Sequence, residues 1–332
     1  MNIGKAVERP WRKAIGPSIL RQPVAFLSGV TEKRASGLFC FYVRRIILKG
    51  GHTLASNALM QAIRLRIYKH RISQTLDAGV LPLTLRYRQI NACDSNLPIA
   101  YRTDTVVRST ALGHLTPREY LQACEDTEVG FRMAEWSVVE AMKHITRFVE
   151  AGRHVQWISV RCPSSMVERV DFYKWMKGLI RENHFRYPTK LCLEFDTSLL
   201  GRRTDAARLA VLDMKLLGVK TLLVGCADGN CPMARLVQIP VDMVMLSPDV
   251  TKWTGSRNKP QVVPTLVSYL RSMRADVYAA GVLNDDQILL LNRYECVGYT
   301  TASKYEGNYS TGCNLGAKKA LEQRETEDDF TI

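Results

Sequence analysis

The turn that follows Leu222–Gly225 reads GCADGN, and Asp228 is its single carboxylate. In a parallel α/β barrel the loops leaving the strand ends hold the chemistry, so this is where catalytic groups are sought first. Metal-assisted hydrolysis there needs several hard oxygen donors converging on one point. A divalent cation with only two or three protein ligands gains too little to offset its dehydration. One acid does not meet that need. Cys226 and Cys231 frame the same turn with a CxxxxC spacing that could hold a metal. No second CxxC and no His pair accompanies them, so two buried thiols without a ligand role are expected. The six histidines are dispersed, with no HExxH arrangement, and each reads as a surface or satisfied core residue.

The elements that position these residues alternate from Pro82 onward. LTLRYRQI, Leu83 to Ile90, alternates apolar and polar residues and is followed after ACDSNLP by a second strand pattern, Ile99 to Val107. TPREYLQAC has the marks of a helix start, with Thr116 as N-cap, Pro117 first in the helix and Glu119 completing a capping box. Phe131, Ala134, Val138, Met142, Ile145 and Val149 recur three or four apart, which predicts a helix over Phe131 to Glu150 closed by Gly152. Further strands are expected at His154 to Val160, Lys190 to Phe195, Thr221 to Val224, Met243 to Leu246, Asp276 to Ala280 and Cys296 to Tyr299. Helical patterns such as Ala206 to Leu217 and Val263 to Arg274 lie between them. Strands joined by crossover helices form parallel sheets. Eight strands, the first two joined by a short turn, predict an α/β barrel with one irregular strand; no Rossmann glycine fingerprint favours the doubly wound alternative.

Charge divides the chain unevenly. Residues 1–80 carry 14 Lys and Arg against Glu8, Glu32 and Asp77, a net +11 of the total +14, so the barrel is nearly neutral. A basic extension over residues 1–80, partly helical at Ala55 to Ile72, is therefore expected ahead of a barrel over 81–310 and an acidic, disordered tail over 311–332. Arg44, Arg45, Arg64, Arg66, Lys69 and Arg71 make the extension a candidate contact for nucleic acid or an anionic surface. No apolar run reaches the roughly 18 residues of a membrane helix. The basic N-terminal stretch has no apolar segment leading to a small-residue cleavage site. Nine cysteines without a disulfide framework suit reduced thiols. A cytoplasmic protein is expected.

In order and spacing, the segments from about Pro82 to Tyr309 resemble the EAL domain, the barrel of cyclic-di-GMP phosphodiesterases. LRYRQI stands where that family has a strand ending YQPI, and GHLTPREYLQACEDTEVGFRMAEW is similar to GxxxPxxFIxxAExxGxxxxLxxW. ISVRCPSSM parallels VNLS, and LCLEFDTS parallels LELTES. VGCADGNCPMARLVQIPVDMVMLSPDV parallels DDFGTGYSSLxxLxxLPVDxxKIDxxFV. YAAGVLNDDQILLL and CVGYTTASKY parallel AEGVExxxQxxxL and QGYLFSKP. The resemblance implies an EAL-type modified TIM (β/α)8 barrel with one antiparallel strand.

It also implies a loss. Carried over by position, the acid of EAL falls near Arg102 and the VNLS amide at Arg161. The DDFG aspartates fall at Val224 and Gly225, the KID lysine and aspartate at Met245 and Ser247, and the AEGVE glutamates at Ala280 and Leu283. Glu194 is the one position that keeps a ligand type. No metal ligand set and no cofactor are then expected, and no phosphodiesterase activity. Asp104 and Asp228 read as turn or surface carboxylates, and Glu194 as the partner of Arg161 in an ion pair plugging the barrel mouth. The family's nucleotide contacts fall at Arg88 and Val106. Arg88, Arg102, Arg161 and Lys252 are left as possible anion or nucleotide contacts, with cyclic-di-GMP binding not expected. What the resemblance leaves is a degenerate EAL-like regulator working through a protein partner in bacterial signalling or transcriptional control of motility, adhesion or virulence.

Overall fold

The computed structural model describes residues 65–68, 70, 72–74, 83–109, 113–115, 120–121, 124, 126–169, 171–227, 231–302 and 310–311. Arg44, Arg45, Arg64, Lys69 and Arg71, the capping box at Thr116, Asp228 and the segment after Thr311 lie outside them. Ten strands are described: β1 Leu83–Ala92, β2 Pro98–Ser109, β3 Gly113–Leu115, β4 Trp157–Arg161, β5 Leu191–Asp196, β6 Lys220–Cys226, β7 Met243–Leu246, β8 Asp276–Val282, β9 Gly298–Thr301 and β10 Ser310–Thr311.

Strands β2, β4, β5, β6, β7, β8 and β9 pair in that order, each parallel to the next. β1 closes the ring. It runs antiparallel to β2, with Arg88 opposite Arg102, and antiparallel to β9, with Ala92 opposite Gly298. The result is an eight-stranded barrel with one antiparallel strand, and every strand expected from the sequence has its counterpart in it. Closure depends on a close approach: a Cβ added at Gly298 would meet the Asn91 carbonyl oxygen at 2.6 Å. β3 extends β2 as a hairpin, and β10 adds a two-residue rung to β1.

Helices α1 Glu128–Glu150, α2 Phe172–Glu182, α3 Thr204–Leu216, α4 Met233–Leu236, α5 Pro248–Thr251, α6 Val262–Ser272 and α7 Asp285–Arg293 fall between the strands. Along α1, Phe131, Ala134, Val138, Met142 and Ile145 are buried, as their spacing requires. Gly152, at φ +70°, follows the end of that helix. Leu191, Leu193, Leu223 and Val244 face outward from the strands to pack against these helices. The inner faces build a separate core from Ile90, Ala100, Trp157, Cys192, Leu222, Met243 and Tyr278, with Trp157 and Tyr278 edge to face at 5.5 Å. The barrel is thus filled from below like other small closed barrels.

A third cluster joins the helical residues 65–68 and 72–74 to the barrel. Tyr68 and Ile72 are buried with Leu83, Val107, Leu115, Tyr120, Cys124, Val129 and Met133. Because β1 runs against its neighbours, Leu83 at its start lies beside Val107 near the end of β2. The helical segment therefore packs at the same end of the barrel as the C-terminal ends of the parallel strands. Ile72 and Tyr68 stabilise it by about 1.5–3 kcal/mol each through burial.

Candidate functional site

Strand alternation decides which side chains reach the barrel mouth. With Ile90, Ala100, Trp157, Cys192, Leu222, Met243 and Tyr278 facing inward, residues two positions toward the mouth face inward as well. These are Arg88 on β1, Arg102 on β2, Ser159 on β4, Glu194 on β5, Val224 on β6, Met245 on β7 and Ala280 on β8. Asp104, Arg161 and Asp196 form the next layer out, on β2, β4 and β5.

The inner layer is closed by an ion pair. Arg102 donates through Nε to Glu194 Oε2 at 2.8 Å and through Nη2 to Oε1 at 2.5 Å. This is the forked geometry that planar guanidinium and carboxylate groups share. Ser159 Oγ donates to the same Oε2 at 3.0 Å, and Arg102 Nη1 lies 3.5 Å from Met245 Sδ. The guanidinium therefore stretches from the β2 wall across to β7. The Glu194 side chain is 3% exposed. Burial alone would raise its pKa, but the charge and hydrogen bonds of Arg102, with Arg161 and Ser159, outweigh burial and hold it below the ordinary carboxylate value. Burial likewise opposes the charge on Arg102, and Glu194 overcomes that opposition, so the guanidinium is held above its ordinary value.

A second pair sits nearer to solvent. Arg161 Nη2 donates to Asp196 Oδ2 at 2.8 Å, with both side chains more than a quarter exposed. Asp196 Oδ1 accepts from Ser164 Oγ at 3.1 Å, from the Ser198 amide at 3.0 Å and from the Ser198 hydroxyl. Burial pushes the Asp196 carboxyl up, but Ser198, Arg161 and Ser164 together leave it below its ordinary value. Asp104 differs: burial raises its carboxyl more than Arg102 and Arg88 lower it.

The structure brings Arg88, Arg102, Arg161 and Glu194 together, with one change of partner. Glu194 was expected to pair with Arg161, and it pairs with Arg102 instead. Arg161 stands beside Glu194 in the strand register but reaches outward to Asp196. Asp196 and Ser159 were not singled out in the sequence, although each lies two residues from a singled-out position on the same face of its strand. Val224, Met245 and Ala280 line the opposite wall as buried apolar groups. Gly225, at φ +78°, adds a bulge to β6, and Ser247 is buried just past β7. Leu283 is 67% exposed, Val106 is buried in β2, and Lys252 pairs with Asp249 at 2.8 Å. Arg66 is exposed on its helical segment. Among the described residues no group of three His, Cys, Asp or Glu is placed to hold a metal ion, and no helix is long and apolar enough to cross a membrane.

Comparison with known proteins agrees with this architecture. The family profile described as EAL domain matches residues 70–300. No curated protein sequence matches the chain. Among solved structures, the PaMucR phosphodiesterase in complex with c-di-GMP superposes with a TM-score of 0.63 at 18% identity, covering 71% of this chain and 96% of that one. The FimX EAL domain from Pseudomonas aeruginosa bound to c-di-GMP gives 0.60 at 12% identity, covering 71% and 95%. An EAL domain protein from Listeria monocytogenes EGD-e gives 0.58 at 18% identity, covering 72% and 90%. At these identities the likeness is one of fold.

Proposed function

The chain belongs to the EAL domain family, and we propose that it is a non-enzymatic member: a cytoplasmic regulatory barrel that binds another protein in bacterial signalling or transcriptional control and does not hydrolyse cyclic-di-GMP. One observation carries the reading, the Arg102 guanidinium bonded to both oxygens of Glu194 inside the mouth. The metal ions that the family implies require oxygen donors with open lone pairs converging on one point. Here both Glu194 oxygens are taken by Arg102 and Ser159, and those of Asp196 by Arg161, Ser164 and Ser198. Val224, Met245 and Ala280 face them. This donor set does not fit a pair of divalent cations. A guanidinium about 4 Å from a cation costs about 4 kcal/mol per unit of cation charge at an effective dielectric near 20.

An apolar surface supports a protein partner. Leu209, Leu212 and Leu216 recur at helical spacing on α3 and are 59%, 38% and 77% exposed. Leu209 and Leu216 border a groove of about 670 Å³ between α2 and α3, whose rim also carries Glu168, Asp171, Lys174 and Asp205. Exposed apolar stripes of this kind accompany interaction surfaces. The test is direct: purified full-length chain with magnesium or manganese is expected to leave cyclic-di-GMP intact. Metal-dependent hydrolysis would overturn the reading.

The net +11 of residues 1–80 favours a second reading, binding of nucleic acid or an anionic surface. A truncation to test it has to begin at Leu65, since starting near Pro82 would also remove Tyr68 and Ile72 from the barrel's packing. Cyclic-di-GMP sensing without hydrolysis is less supported, because Arg102 and Arg161 are already committed to carboxylates. Calorimetry with the nucleotide distinguishes it.

A further inference from the structure

Three sulfur atoms meet on the outer, helix-facing side of β6 at its C-terminal end. The bulge at Gly225 places one extra residue between Val224, opposite Met245, and Cys226, opposite Leu246. Without it, alternation would aim Cys226 into the barrel with Leu222 and Val224. The extra residue turns Cys226 into the layer beneath the helices, where it is buried with Leu246. Cys231 and Met233, at the start of α4, close over it. Cys226 Sγ lies 3.8 Å from Cys231 Sγ and 4.0 Å from Met233 Sδ, and Cys231 Sγ lies 3.7 Å from Met233 Sδ. The point equidistant from the three is about 2.2 Å from each, close to a metal–thiolate bond of about 2.3 Å.

We propose that Cys226, Cys231 and Met233 form a trigonal, all-sulfur site for a cuprous ion. Thiolate and thioether are soft donors, and Cu(I) is the soft cation that such a set selects. Two thiolates and a thioether make a softer donor set than the thiolate and imidazole ligands zinc favours, and magnesium or calcium needs oxygen. The third sulfur separates this site from a simple cysteine pair. A disulfide would use two sulfurs and gain nothing from a thioether nearly equidistant from both. Met233 is held in place from its backbone, whose carbonyl accepts from Tyr269 Oη of α6 at 3.3 Å. Cys231 and Met233 are half-buried while Cys226 is fully buried, so the ion has a route from solvent and is then shielded. Cu(I) enters without a change of oxidation state and displaces the thiol protons, which makes affinity rise with pH. The CxxxxC spacing marked Cys226 and Cys231 but was read as two thiols without a ligand role, because Met233, two residues past Cys231, carries no metal signature of its own. The three sulfurs face the helix layer and share no residue with the ion pairs inside the mouth, so the site holds or fails independently of the function proposed above.

The test uses the full chain, reduced and free of oxygen, titrated with a cuprous acetonitrile complex against bathocuproine disulfonate. One ion per chain is expected to resist the chelator, with X-ray absorption reporting three sulfurs at about 2.3 Å. Cys231→Ser and Met233→Leu are each expected to lower affinity about tenfold or more. Met233→Leu keeps the side-chain volume, so an unchanged Tm separates ligand loss from misfolding. Copper held equally well by Met233→Leu, copper lost entirely to the chelator, or a Cys226–Cys231 disulfide in anaerobically purified chain would each overturn the proposal.

Discussion

The two walls of the barrel mouth are built from opposite kinds of residue. On β2, β4 and β5 stand Arg102, Arg161, Glu194 and Asp196, paired with one another. On β6, β7 and β8 the corresponding level holds Val224, Met245 and Ala280, all buried and apolar. The charged wall balances its own charge, and at this level Val224, Met245 and Ala280 offer no side-chain oxygen; Arg102 touches the far wall only at Met245 Sδ, 3.5 Å away. A carboxylate is therefore retained at Glu194 as part of a plug, and its retention says little about chemistry. Within the charged wall the two pairs also differ. Arg102–Glu194 is shielded from solvent, whereas Arg161–Asp196 is open to it.

The sharpest way to break that contrast is to remove one partner of the inner pair. Glu194→Ala strands Arg102 in the barrel and is expected to cost about 3–5 kcal/mol in denaturant unfolding. Replacing both partners together, Arg102→Met with Glu194→Leu, is expected to recover most of that loss, since apolar groups of similar volume often match a buried pair. A double mutant as unstable as Glu194→Ala would mean that the pair does more than balance charge.

Next in size is the packing that holds the helical segment at the mouth. Ile72→Ala is expected to cost about 2–5 kcal/mol in the same measurement, because the residue is 1% exposed. The outer ion pair is worth less. Asp196→Ala is expected to cost about 1 kcal/mol, combining a screened pair with loss of the cap on Ser198.

The smallest effect is a change in pH dependence. Glu194 and Asp196 both have folded pKa values below their unfolded values. Their contribution is present above the ordinary carboxylate range and is lost as pH falls through the depressed values beneath it. Glu194→Gln should flatten the acid limb of the stability profile in that region. An unaltered limb would mean that Glu194 is not ionised in the fold.

Much of this was legible in the sequence because period-two and period-3.6 patterns are local. Leu83 to Ile90 and Phe131 to Glu150 announced their elements without knowledge of neighbours, and the α/β order implied the parallel ring. Positional likeness also placed Arg102, Glu194, Val224, Met245 and Ala280 at one level. Pairing was less legible. Arg161 is beside Glu194 in register, yet Arg102 wins because it crosses the interior, a distance that no one-dimensional spacing records. The packing of Tyr68 and Ile72 was hidden for another reason: net charge drew the extension's edge at residue 80, while burial of these side chains ties part of it to the barrel. The Gly225 bulge, which redirects Cys226, left no mark beyond a glycine.

The account turns on whether the mouth accepts divalent cations, and manganese titration of the full chain followed by electron paramagnetic resonance tests that most directly. The account predicts that the signal of free aquo manganese persists through stoichiometric additions, in wild type and in Glu194→Gln alike. Saturable loss of that signal in wild type, abolished by Glu194→Gln, would contradict it.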